Sequence, residues 1–149
     1  MNAYAALREK HQNEVNAFPL FFAFSNKQFE EGMTRFGLSP DETDKIYRLS
    51  GTGGYYLRTD ADRLHEMFDR HERERQEALA DDPKGEGYIY QMFLFELQNH
   101  EYGYTWELDD TLDALGLTME DVENSKALSS GHKKAIAYIK KAGDCFGGG

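Results

Sequence analysis

The run Tyr88–Trp106, YIYQMFLFELQNHEYGYTW, constrains this chain more than any other stretch. From Tyr88 to Leu97 it is apolar almost all round, and a helix without a polar face must be enclosed by other elements. From Gln98 it turns polar and aromatic together, so this is where the helix leaves the core. The expected fold is α+β and mainly α: about six helices around a central apolar helix over 88–102, with one small β-hairpin over 46–58. No strand–helix alternation supports a doubly wound sheet.

The chain is long enough for one real core, and ten Phe with nine Tyr argue against disorder. The expectation is a single globular domain over 1–143 and a flexible Gly-rich tail over 144–149. A net charge of −10 disfavours direct nucleic-acid binding and adhesion to an anionic membrane. A single Cys excludes an internal disulfide and a site built on several thiolates. The first residues lack a hydrophobic signal core, and FPLFFAF is too short to span a bilayer. A cytoplasmic location with no membrane contact is therefore expected.

Along the chain, Asn2 can cap a first helix that places Tyr4, Leu7, His11 and Val15 on one face. Pro19 stops it, and Phe18–Phe24 reads as a buried extended segment. Ser25 and Gln28 form a capping box for a helix with Phe29, Met33 and Phe36 inward and Gly37 at its end. Ser39, Pro40 and Glu42 restart a short helix by similar chemistry. Two apolar runs flank Gly51–Gly54 as a hairpin, a turn reading preferred over a phosphate loop because the lysine of a P-loop is missing. Thr59 or Asp60 opens a long helix to about Ala80, with Leu64, Met67, Phe68 and His71 inward. Glu66–Arg70 and Asp69–Arg73 pair on its outer face.

After the break at Asp82–Gly87, the central helix ends near Gly103. Thr105 opens a helix over 107–115, and Thr118 with Asp121 caps the next. Ser129 or Ser130 starts a last one, with His132, Ala135, Ile136 and Ile139 inward and Gly143 at its end. The junctions Phe36–Ser39 and Leu115–Thr118 look alike; a shared way of stopping helices explains them better than a duplicated unit.

NAFPLFFAFSNKQFEEGM, GTGGYYLRTDADRLHEMFDRH and MFLFELQNHEYGYT followed by TLDALGLT resemble a family of small acidic bacterial proteins associated with conjugative or phage-like mobile elements of gut bacteria. The resemblance covers about residues 3–140. It implies a cytoplasmic accessory protein and assigns no activity, cofactor or catalytic residue.

Glu96 and His100 sit one helical turn apart beside Ile89, Met92 and Phe93. A buried ionised Glu is costly without partners, so the pair reads as a satisfied core couple with a Tyr hydroxyl as third member, ahead of an acid/base couple. His65, Asp69 and Glu72 share a helix face, but a solvated face explains them better than metal binding. His11, His71 and His132 read as core or boundary residues, and Cys145 as a free thiol.

Charge is unevenly placed: nine Asp/Glu and no Lys or Arg lie between Tyr88 and Ser125, and five Lys with one Asp follow. The two segments either pack together or serve different partners. The favoured function is a non-enzymatic interaction protein that engages a protein partner. Its candidate surface is Glu96, Asn99, His100, Glu101, Tyr102, Tyr104, Trp106, Asp109, Asp110 and Asp113, flanked by the acids Glu120, Asp121 and Glu123. Two alternatives stand beside it: a DNA mimic of antirestriction type, and a small metal-dependent or hydrolytic enzyme centred on Glu96, His100 and Glu101. No catalytic residue, cofactor or metal is assigned, and a homodimer is compatible with the chain.

Overall fold

The computed structural model describes residues 2–102 and 106–147, the last five by backbone alone. The chain divides into two compact units, Met1–Lys10 with Glu74–Gly149, and His11–Arg73. The fold is α+β and mainly α. The described elements are α1 (Ala3–Ala17), β1 (Phe21–Phe22), α2 (Asn26–Arg35), β2 (Ile46–Leu49), β3 (Gly54–Leu57), α3 (Ala61–Ala80), α4 (Tyr88–Asn99), α5 (Asp109–Leu115), α6 (Met119–Asn124) and α7 (Lys126–Gly147). No described helix is long and apolar enough to cross a membrane.

In the first unit, α4 is the buried helix that its composition requires. Ile89, Phe93 and Leu97 are at most 2% exposed and pack with Leu112, Val122, Ala135 and Ile139. Each such side chain contributes about 1.5–3 kcal/mol by leaving water. The acidic segment and the Lys-rich helix do pack together, since α4 and α6 both lie against α7. The contact is apolar, and Lys133, Lys134, Lys140 and Lys141 remain exposed.

Helix α4 begins at Gly87, which has no side chain to offer its first amides. Asp82 supplies the cap from five residues upstream, accepting from the N–H of Gly87 at 3.1 Å and of Ile89 at 2.8 Å. The loop that carries Asp82 passes close to α7 at Gly131. A Cβ on Gly131 would lie 2.6 Å from Ile89 Cγ2, 2.9 Å from Gly85 O and 3.0 Å from Tyr90 N.

The second unit holds the sheet, with strand order β1–β3–β2 and both pairings antiparallel. The expected hairpin is present, turning through Gly51 and Gly53 at positive φ. A short third strand from the Phe-rich segment joins it, because Phe21 and Phe22 run extended beyond Pro19 and pair with Tyr55 and Gly54. Register puts Phe21, Tyr55, Leu57, Ile46 and Arg48 on one face. Phe21, Met33 and Ile46 form the core there, with Phe29, Phe36 and Tyr55 around them. Also in this unit, the rings of His11 and His71 stack at 3.9 Å. Glu14 receives His71 Nε2 at 3.1 Å and the Arg70 guanidinium. Those two donors, Arg70 foremost, pull its carboxyl down to about 2.

Several helix ends depart from the expected chemistry. Ser25 caps α2, while the Gln28 side chain takes the N–H of Phe24 rather than that of Ser25. Ser39 and Glu42 bond as anticipated, but only a 3₁₀ turn over Thr43–Lys45 follows, since β2 starts at Ile46. Helix α4 stops at Asn99, before Gly103, because Glu101 takes a left-handed φ of 56°. Helix α7 starts at Lys126, capped by the Ser125 hydroxyl on the N–H of Leu128, so Ser129 and Ser130 lie inside it. It also runs past Gly143, as far as Gly147. Thr105 lies outside the described residues.

The two similar junctions close alike. Leu38 N–H bonds Met33 O and Leu117 N–H bonds Leu112 O, with Gly37 and Gly116 at positive φ. Thr118 and Asp121 make the anticipated capping box.

Two stability predictions arise from the first unit. Gly131→Ala should lower the unfolding free energy in urea by about 1–3 kcal/mol through overpacking, although helix propensity alone would give a gain of about 1 kcal/mol. His132 is 8% exposed, its Nε2 has no hydrogen-bond partner among the described residues, and its ring meets Phe93 edge-on at 5.3 Å. Burial, aided by Lys133, pushes its pKa below the usual 6.5. The unfolded chain then binds the extra proton, so this residue costs stability increasingly as pH falls through 6.5 toward the folded value. His132→Leu should therefore shrink the loss of stability between pH 7.5 and 5, read by urea unfolding at both.

Candidate functional site

Two helices of the first unit each contribute residues one turn apart to a single buried carboxylate. Helix α4 places Glu96 and His100 on its inward side near its C-terminus, and Glu96 is only 2% exposed. The N-terminal half of α1 brings Tyr4 and Arg8. The Tyr4 hydroxyl donates to Glu96 Oε1 at 3.1 Å, and Arg8 Nε lies 3.8 Å from the same oxygen. His100 Nε2 lies 3.3 Å from Oε2. The couple with a Tyr as third member is thus present, and Arg8 adds a fourth group.

The surroundings fix this arrangement. The Asn2 side chain caps α1 by accepting from the N–H of Ala5 at 2.9 Å, and donates to Gln91 O at 3.0 Å. The N–H of Ala3 reaches Gln91 Oε1 at 2.8 Å. The Tyr4 ring packs against Tyr88 and Phe95, and the Arg8 guanidinium lies 5.4 Å above Phe95. Thr111 of α5 donates to the backbone carbonyl of Glu96 at 3.3 Å.

Burial, then the charge and hydrogen bond of Glu96, push the Tyr4 pKa well above the ordinary phenol range. Tyr4 therefore stays protonated and donates throughout the physiological range. Both Glu96 oxygens face donors, which satisfies a carboxylate that would otherwise be costly to enclose. Chemically the cluster anchors α1 to the end of α4 and orients His100, whose side chain is 28% exposed.

Just beyond, buried and exposed aromatic residues follow one another. Tyr102 is 9% exposed, and Trp106 is 53% exposed with its ring edge-on to Tyr102 at 5.4 Å. The N–H of Trp106 bonds Tyr102 O at 2.9 Å. Glu101 and Trp106 both have φ of 56°, a conformation that costs a non-glycine residue on the order of 1 kcal/mol or more. Asn99, Glu101, Asp109, Asp110 and Asp113 are exposed. Asp109 and Asp110 also sit in the first turn of α5, where the helix dipole favours acids. The described candidate residues thus separate into buried support, Glu96 and Tyr102, and a solvent-facing set; His100 bridges the two. Tyr104 lies outside the described residues.

Tyr4 and Arg8 were not among the sequence candidates. The Tyr4–Leu7–His11 stripe marks Tyr4 as inward, but nothing local pairs it with Glu96, 92 residues away. His65, Asp69 and Glu72 are exposed, and no group of three or more His, Cys, Asp or Glu is placed to hold a metal among the described residues.

The chain belongs to a family described as Family of unknown function (DUF7659), matched over residues 3–138. That span contains every member of the cluster, from Tyr4 to His100. No curated protein and no solved structure matches the chain.

Removing the Tyr4 hydroxyl leaves Glu96 short of its closest donor. Tyr4→Phe should cost about 1–3 kcal/mol in chemical denaturation, the penalty of an under-satisfied buried group. In a double-mutant cycle with Glu96→Gln, a coupling of about 0.5–3 kcal/mol is expected; additive effects would contradict the direct bond.

Proposed function

We propose that this protein is a bacterial accessory protein of mobile elements that works by binding a protein partner rather than by catalysis. Its contact surface is the exit of α4 with the start of α5: Asn99, Glu101, Trp106, Asp109, Asp110 and Asp113, with His100 at its edge. The observation that carries this reading is Trp106. A half-exposed indole beside exposed carboxylates, steadied by a buried Tyr102, has the character of an interface anchor, a role in which Trp and Tyr are enriched. The two left-handed residues add support, because strained backbone outside glycine recurs at functional segments. The mobile-element setting rests on the resemblance of the sequence runs quoted above.

The enzymatic alternative is weaker, because both oxygens of Glu96 already face donors from its own chain. A DNA mimic is weaker too, since five exposed or partly exposed lysines of α7 belong to the same unit as the acids. The preferred partner surface is basic and carries an apolar socket for one indole.

The test is affinity capture from the native host with the wild-type chain, with Trp106→Ala and with the Asp109→Asn, Asp110→Asn, Asp113→Asn triple variant. A partner held by the wild type should be lost at least tenfold with Trp106→Ala, since an interface anchor of this kind is worth about 2 kcal/mol or more. Weakening by the triple variant should fade as salt rises. Undiminished capture by both folded variants would refute this surface.

A further inference from the structure

A second site lies within the His11–Arg73 unit, independent of the surface just described. Between the start of α2 and strand β2, over the ring of Tyr55, is a pocket of about 600 Å³. That is within the range of small-molecule sites. Its aromatic lining is Phe24, Phe29 and Tyr55, and its polar lining includes Asn26, Thr43 and Arg48. Phe24 is 77% exposed, an unusual position for a phenyl ring.

The polar groups all suit an acceptor-rich ligand. No Asp or Glu lines the pocket, although the chain carries 27 of them. The Arg48 guanidinium lies 5.9 Å above the Tyr55 ring and has no carboxylate partner among the described residues. The neighbouring acid Glu42 is already held by Lys45 and Ser39, and its carboxyl is drawn down to about 2. The Tyr55 and Thr43 hydroxyls make no hydrogen bond to described protein groups. At the opposite wall, the Ser25 hydroxyl takes the N–H of Gln28 and the Gln28 side chain takes that of Phe24. The first-turn N–H groups of Asn26 and Lys27 are thereby left without an intrahelical acceptor.

We propose that this pocket binds a small planar aromatic anion, either a carboxylate or a phosphate. The ring lies among Phe24, Phe29 and Tyr55, and the anionic group lies toward Arg48. Stacking supplies the shape preference and the guanidinium the charge preference, a division of labour suited to a bidentate donor. Net charge of the whole chain opposes anions at long range, so affinity must come from these local donors and from ring burial.

The test is a nuclear magnetic resonance titration of the full chain with phenyl phosphate, benzoate, benzyl alcohol and inorganic phosphate as separate probes. Saturable shifts at Asn26, Arg48 and Tyr55 are expected with phenyl phosphate or benzoate, and the tighter of the two identifies the anionic group. Benzyl alcohol and inorganic phosphate should each bind at least about tenfold more weakly, because each lacks half of the recognition. Arg48→Gln should weaken the aryl anion at least about tenfold. Phe24→Ala should weaken it while leaving the charge intact. Both side chains are exposed, so neither change threatens the fold. Absence of saturable shifts, shifts that map elsewhere, equal binding of benzyl alcohol or inorganic phosphate, or unchanged affinity in Arg48→Gln would each overturn the proposal.

Discussion

Enclosure of α4 is the constraint on which the first unit depends. Its side chains are apolar on nearly every side, so α7, α5 and α6 must close around it, with α1 at its polar end. The close approach of the Asp82–Gly87 loop to α7 is possible only because Gly131 has no side chain. The same loop delivers Asp82 to the uncapped amides at the start of α4. One small residue on α7 and one acid before α4 thus set how the central helix begins.

Its other end faces the opposite problem. Glu96 and His100 interrupt the apolar face, and an enclosed carboxylate is tolerable only when donors surround it. The N-terminal half of α1 meets that need through Tyr4 and Arg8. Burial is also the first reason why Tyr4 holds its proton so firmly; the charge and hydrogen bond of Glu96 add to it, and the nearby Arg8 guanidinium opposes it only in part. Beyond this knot Glu101 takes a left-handed φ, Tyr102 is buried, and Trp106 is 53% exposed. The buried polar cluster and the exposed indole thus lie close together in sequence, on either side of the end of α4.

The His11–Arg73 unit solves a smaller problem with different materials. Its sheet is short, and its core is made largely of rings: Phe21 stacks on Tyr55, with Phe29 and Phe36 edge-on. Gly32 lets α2 come down onto Phe21, where a Cβ would collide with the ring. In such a core Tyr55 is only partly buried, and its ring, with Arg48 above it, lines the pocket.

Much of the architecture was legible in the amino-acid order because it rests on local rules. Apolar continuity marked α4, Gly51–Gly54 marked the hairpin, and Ser25, Thr118, Gly37 and Gly116 marked helix ends. Each depends on residues within a turn or two of one another. The start of α7 is not encoded locally, because Ser125, Ser129 and Ser130 are equivalent caps by composition and packing decides among them. The glycine rule carries α4 on to Gly103, whereas the helix ends at Asn99 and Glu101 takes a left-handed conformation. Of the candidate surface, the sequence determined that acids and aromatics cluster after Leu97, and that Glu96 would need partners. Only the tertiary structure decided that Tyr4 and Arg8 are those partners, that Tyr102 is buried while Trp106 is exposed, and that Arg48 overlooks an open aromatic pocket. These depend on contacts between segments far apart in the chain, and no local spacing encodes which distant donor reaches a given carboxylate.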